Sequence, residues 1–180
     1  QIDVAMDLMS FFGNSKMKIY SISIDNPRIH AIVNKEGKAN WDITRPDTTS
    51  STQQEKSDFK LSLKKYSIND GYISYVDIPG NMSSEIFHLD HSGSGDFTSD
   101  LFTLKTKTSA ESVSFTYANI PYLVDAKASL NADIQVDNKN DKYTFKTDDI
   151  ALNDLKLSTE GYFQFVNDST YRMDIKFNAP

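Results

Sequence analysis

The chain has 180 residues, with 19 Lys and Arg against 25 Asp and Glu, a formal net charge of −6, 12% aromatic residues and no cysteine. That length makes about one domain with a substantial core, since roughly 70% of the unfolded surface can be buried at this size. The acidic balance, without any basic run, excludes a nucleic-acid footprint, and the lack of cysteine excludes disulfide frameworks, Cys-ligated zinc, iron–sulfur clusters and thiol nucleophiles.

Period-two alternation starts at once, in Ile2, Val4, Met6 and Leu8 with Asp3 and Asp7 between them, which is a strand pattern and not a signal peptide. A turn is expected at Phe12-Gly13-Asn14-Ser15. Next, Ser23 to Val33 reads as a strand end, a turn at Asp25-Asn26-Pro27 and a second strand, followed by a turn at Lys35-Glu36-Gly37-Lys38. Residues 44–58, TRPDTTSSTQQEKSD, are polar without periodicity and read as a flexible excursion within one domain spanning residues 1–180. Ser67 to Asp77 can be laid over Ser23 to Val33, again with an Asx-rich turn, here Asn69-Asp70-Gly71. A fainter echo at 150–157 makes a repeated hairpin unit the expectation.

Further turns are expected at Ile78-Pro79-Gly80-Asn81 and Ser92-Gly93-Ser94-Gly95. Phe102 with Leu104, then Val113, Phe115 and Tyr117, give shorter alternations. In residues 122–137 the even positions are Tyr122, Val124, Ala126, Ala128, Leu130, Ala132, Ile134 and Val136, and every odd position but Leu123 is polar or charged. That is a half-buried strand of about 50 Å at roughly 3.3 Å per residue. A turn over residues 137–141 follows, and Tyr171, Met173, Ile175 and Phe177 alternate again. The fold class is therefore all-β, a long-stranded twisted antiparallel meander, curved or trough-like, with few or no helices. Patterned sequence runs to both ends, as in a piece of a longer protein. No stretch reaches the roughly 18 apolar residues of a membrane helix.

Such a sheet has an apolar face and no amphipathic helix to cover it. It can close as a sandwich or barrel, face a bilayer as an outer-membrane barrel, or stay open and meet a hydrophobic ligand. The sheet-face stripe of Ile29, Ile73, Tyr75, Phe115, Leu130, Ile134, Met173 and Ile175 is core in the first case and acyl-chain lining in the last. The small Ala126, Ala128 and Ala132 favour the open form. Against the barrel stand the polar stretch at 44–58 and the lack of paired aromatic girdles.

No constellation carries catalysis, and the expectation is a non-enzymatic protein without cofactor or metal. His88 and Asp90 share a strand face with Glu85 nearby, but alternation turns His91 away and places no third ligand. Residues 137–141 resemble the opening of a calcium loop with Asp148 at its twelfth position, yet Lys139 and Lys142 occupy places for an oxygen ligand and a glycine. Gly93-Ser94-Gly95 has no following helix to cradle a phosphate. Asp77, Asp90, Asp96, Asp148, Asp149 and Asp154 read as solvated charges on turns and polar faces.

Two segments carry a family resemblance. Asn26-Pro27-Arg28-Ile29 leads to Gly37-Lys38-Ala39-Asn40-Trp41, and beyond the polar stretch lies Ile68-Asn69-Asp70-Gly71-Tyr72-Ile73-Ser74-Tyr75-Val76-Asp77. These resemble the "P-x-[IV]" step, the "G-x-x-N-W" hairpin and the "I-x-(N/D)-G-x-I-x-Y-x-D" signature in the N-terminal region of the AsmA family of bacterial envelope proteins. The resemblance covers residues 20–43 and 60–77 sharply, and 78–180 only in pattern. It implies a periplasmic protein anchored in the inner membrane by a helix outside these residues. It also implies a role in outer-membrane assembly and phospholipid homeostasis, and likeness to bridge-like lipid-transfer proteins with a long apolar groove. Phospholipid or another acyl-chain lipid is the expected partner. Pro27, Gly37, Asn40, Trp41, Gly71 and Asp77 are then motif residues with structural roles. The alternative is a closed β-sandwich serving as a structural or adhesive interaction module.

Overall fold

A computed structural model describes residues 1–7, 19–42, 63–167 and 170–179, with all their side chains but that of Asp148. The turn expected at 12–15, the polar excursion at 44–58 and Leu8 lie outside the described residues. Among the described residues ten strands make one sheet. They are β1 (Ile2–Met6), β2 (Ile19–Asp25), β3 (Arg28–Val33), β4 (Lys65–Asp77), β5 (Met82–Ser94), β6 (Leu101–Tyr117), β7 (Ile120–Asp137), β8 (Lys142–Leu152), β9 (Leu155–Asn167) and β10 (Thr170–Asn178). From β4 to β10 each strand pairs antiparallel with the next in the chain. The protein is all-β and its strands are long, with β7 spanning 18 residues.

The meander does not extend to the first strands. β2 and β3 both run parallel to β4, one beyond the other along the same edge, and β1 closes antiparallel on β2. The pairing explains the internal repeat. Ser23 lies opposite Ser67, Ile24 opposite Ile68 and Ile29 opposite Ile73, so the repeated segments are side by side and in register. Like side chains meet across the ladder. The Ser67 hydroxyl donates to Ser23 Oγ at 2.9 Å, Asn69 Nδ2 donates to Asp25 Oδ1 at 2.6 Å, and His30 Nδ1 lies 2.8 Å from Ser74 Oγ. The expected hairpin unit is thus corrected. Asn69-Asp70-Gly71 sits inside the continuous strand β4, and Asn26-Pro27 joins two collinear strands. Only the 150–157 echo reverses the chain, between β8 and β9.

These Asx clusters form bulges and not turns. Asp70, His88 and Asp125 have left-handed backbones with φ near 50° in mid-strand, matched by Asn26 at φ 51° beside Asp70. Four residues of β4, Ile68 to Gly71, span three of β5, His91 to Leu89, and four of β5, Leu89 to Ile86, then span three of β4, Gly71 to Ile73. The second bulge cancels the first, so both flanks keep one register. Two shifts cancel in the same way between β6 and β7, where Asp125 is the extra residue, and a third between Phe115 and Thr116 offsets the pairs next to the turn by one. The Asp125 N–H donates to Ser114 Oγ at 3.1 Å and its carboxylate accepts from Ser112 Oγ at 2.9 Å. Asn and Asp tolerate the left-handed region best among residues with a side chain, and bulges bend and further twist the strands that carry them. Leu123, the odd position that broke the alternation of β7, pairs with Phe115 because the Asp125 bulge shifts it by one.

Two asparagines finish strand edges by one device. Asn40 donates its N–H to Ile32 O at 2.9 Å and accepts the Ile32 N–H on Oδ1 at 3.0 Å. Asn153, in the β8–β9 turn, does the same to Lys127 of β7, both bonds at 2.8 Å. Each satisfies a backbone pair where the neighbouring strand stops, blunting an edge that would otherwise template another chain.

The β6–β7 connection is Ala118-Asn119, with φ of 50° and 64° and Tyr117 paired to Ile120. Two left-handed residues in a two-residue loop match the twist of the flanking strands. Asn119 carries such a φ cheaply, whereas Ala118 pays about 1 kcal/mol for it. Ala118→Asn is therefore expected to stabilise the protein by about 1 kcal/mol, seen as a higher urea midpoint at unchanged slope.

Candidate functional site

Directly paired residues share a face of the sheet, so the register assigns every side chain. One rung runs Ile29, Ile73, Ile86, Val113, Ala126 across five strands. Another runs Ile2, Ile24, Ile68, His91, Thr108, Leu130, Ile150, Leu157. Tyr75 shares a rung with Phe115, Ile134 with Leu104, Phe145 and Ile175, and Met173 with Phe163, Tyr143, Val136 and Phe102. All eight residues of the expected stripe therefore lie on one face of one sheet. The opposite face carries mainly Ser, Thr, Asn, Lys and Asp, apart from a local group in which Tyr72 meets Phe87 at 4.6 Å near Ile32 and Val76.

No second layer covers the apolar face among the described residues. Its most sequestered apolar side chains are Leu89, Ala110, Ala126 and Val136, none of them fully buried. Ile29 is 43% exposed, Leu130 36%, Met173 58% and Ile175 36%. Contiguous apolar patches beyond a few hundred Å² are characteristic of interaction or ligand surfaces.

Aromatic rings thicken this face. Trp41 packs 6.1 Å from Tyr75 while half exposed, and Phe163 stacks on Tyr171 at 5.5 Å and meets Phe165 at 4.9 Å. Tyr66 lies over Gly93, its partner in β5, where an added Cβ would collide with the ring. The polar groups on this face satisfy one another. His91 Nδ1 is 2.8 Å from Thr108 Oγ1 and its Nε2 is 3.2 Å from the Tyr66 hydroxyl. Burial lowers the His91 pKa and raises that of Tyr66.

The motif residues bracket β3 and the stretch of β4 that it pairs with. Pro27 accepts the Tyr72 N–H on its carbonyl at 2.9 Å. Gly37, at φ 77°, closes the turn in which Asn34 Oδ1 accepts from the Glu36 and Lys38 N–H groups. Gly71 is buried at the bulge, with Ile68 3.0 Å from where its Cβ would be. Asp77 accepts the Gly80 N–H at 2.9 Å in the β4–β5 turn. Of these, Trp41 alone adds to the apolar face.

The acid and imidazole groups weighed for chemistry go to separate places. The left-handed backbone of His88 lets its Nδ1 reach Asp70 Oδ1 at 2.6 Å, and that hydrogen bond lowers the Asp70 pKa. Asp90 instead accepts the Asp70 N–H at 3.0 Å, and Glu85 accepts the Tyr72 hydroxyl at 2.8 Å. Asp137 accepts from the N–H groups of Lys139 and Asn140 and from Asn140 Nδ2, so residues 137–141 are a hairpin turn. The Asn140 bond lowers its pKa. The side chain of Asp148 lies outside the described residues.

Compared with family models, curated proteins and solved structures, the chain matches none.

His91 makes stability pH-dependent. Its folded pKa lies below the unfolded value of about 6.5 because burial disfavours the imidazolium, so the unfolded chain binds the proton more readily. Stability should be full above about pH 6.5 and fall as the pH drops below it. Melting curves from pH 7.5 to 5 should show a declining Tm, and His91→Gln should flatten that decline.

Proposed function

We propose that this chain is a non-enzymatic, lipid-handling part of an AsmA-like envelope protein. In that reading it is held at the inner membrane and acts in the periplasm, in outer-membrane assembly and phospholipid homeostasis. The observation that carries the reading is the apolar face, which runs from β1 to β10 and has no second layer over it among the described residues. Acyl chains lie along the rungs while head groups stay in water at the sheet margin. Each methylene withdrawn from water contributes about 0.8 kcal/mol, so a tail of ordinary length is held without a specific pocket. Because the rungs repeat along the strands, a lipid can slide with little change in contact. A face that stays open among the described residues suits long and varied tails.

The motif that carries the family resemblance supports this reading through its placement. Asn40 and Gly37 build the hairpin beyond β3, and Trp41 lays its ring against Tyr75 on the apolar face. The hairpin folds back beside β3, so Trp41 widens the stripe along the outer edge of that strand.

Purification without detergent, followed by extraction and lipid mass spectrometry beside an equally handled soluble control, tests the proposal. Phospholipid is expected at a reproducible ratio above the control. Leu130→Lys, which puts a charge in the middle of the β7 stripe, should reduce it at least fivefold, about 1 kcal/mol. An empty chain, with lipid no higher than in the control, would overturn the reading in favour of an interaction module.

A further inference from the structure

We propose that the polar face carries a binding site for a phosphate ester, in a depression formed by β2, β4, β5 and β6. The depression has a volume of about 480 Å³, and its lining includes Lys65, Lys105, Lys107, Ser67, Ser92 and Ser94. The register sets these six side chains as a block. Lys65 is opposite Ser94 and Ser94 opposite Lys105; on the neighbouring polar-face rung, Ser67 is opposite Ser92 and Ser92 opposite Lys107. With strands about 4.8 Å apart and residues rising about 3.3 Å each, the three lysines stem from points within roughly 12 Å. Their flexible four-carbon stems let the ammonium groups converge over the serines.

Charge makes this block unusual in a chain with a net charge of −6. None of the three lysines forms an ion pair among the described residues. The carboxylate nearest in register is Asp133, across from Lys105 on β7, while Lys107 faces Asn131. Three like charges over a concave surface raise the local positive potential, and a dianionic phosphate relieves their repulsion. Ser67 donates its hydroxyl to Ser23, so the donors offered to a ligand are the ammonium groups with Ser92 and Ser94. Gly93-Ser94-Gly95 therefore serves without a helix, because the lysines supply the charge that a helix N-terminus would. The volume exceeds that of a bare phosphate and takes the ester substituent as well. A free phosphate ester and a phospholipid head group share this chemistry. The site lies on the face opposite the apolar stripe and does not depend on what covers that stripe.

The test is a titration of the full chain at low ionic strength with glycerol 1-phosphate and with inorganic phosphate, followed by backbone amide shifts. Saturable shifts are expected at Lys65, Ser92, Ser94, Lys105 and Lys107. Each single Lys→Gln exchange should weaken binding about fivefold, as for loss of one charge-assisted contact. The triple exchange should abolish it, while Lys127→Gln with Lys156→Gln, and separately Leu130→Lys, should leave it unchanged. Flotation with phosphatidylcholine vesicles, with and without phosphatidic acid, identifies the source. Flotation that needs phosphatidic acid and is lost in the triple variant assigns a lipid head group, and phosphate binding without flotation assigns a free ester. Shifts that do not saturate, that scatter over the polar face, or that persist in the folded triple variant would overturn the site.

Discussion

The structure depends on one constraint, that residues paired across neighbouring strands keep the same face from one edge of the sheet to the other. A slip of one residue in any pair would turn that strand's apolar set to the polar side. The bulges make this constraint visible. Asp70 displaces β4 against β5, and His88 displaces β5 back again. The hydrogen bond between their side chains ties the two displacements together. The sheet is thus bent and still in register, and the apolar rungs continue on both sides of the bulges.

From that constraint follows a molecule with two unlike surfaces. One carries aromatic and aliphatic side chains that meet along rungs but have no layer above them among the described residues. The other carries serines, lysines and carboxylates whose hydrogen bonds mostly stay within a strand pair or a turn. A single sheet of this kind buries little on folding, and backbone ladders with cross-strand pairs must supply much of its cohesion. Long strands suit that need, since each added residue contributes to a ladder on either side. The asparagines that close the edges of β3 and β7 serve the same end by satisfying backbone groups where a strand runs out of partner.

Much of this was legible in the residue pattern. Alternation gave the strands and put Leu130 and Met173 on the apolar side of their own strands, but that the two share one exposed face comes from the register across β8 and β9. The repeat between residues 23–33 and 67–77 was legible too, but its meaning was not. Asx-rich clusters followed by Pro or Gly signal chain reversal and bulges alike, because both need a left-handed residue. Only partner strands decide which forms. The parallel pairing of β2 and β3 with β4 was hidden for the same reason, since parallel register depends on a segment forty-four residues away. The Ala118-Asn119 turn escaped because Ala is a poor signal for positive φ. The lysine block was invisible because Lys65, Lys105 and Lys107 become neighbours only through two ladders.

The lack of cysteine allows a direct test of whether the apolar face is open to lipid. A single cysteine at Ile134 or at Gln135, adjacent in β7 but on opposite faces, can carry a nitroxide whose collisions with oxygen and with a polar nickel chelate are measured in detergent-free material. The account predicts that the label at 134 meets oxygen and is shielded from the chelate, as under a lipid layer, and that the label at 135 shows the reverse. A label at 134 that is immobilised and shielded from both would place that side chain in a sealed protein core and contradict the account.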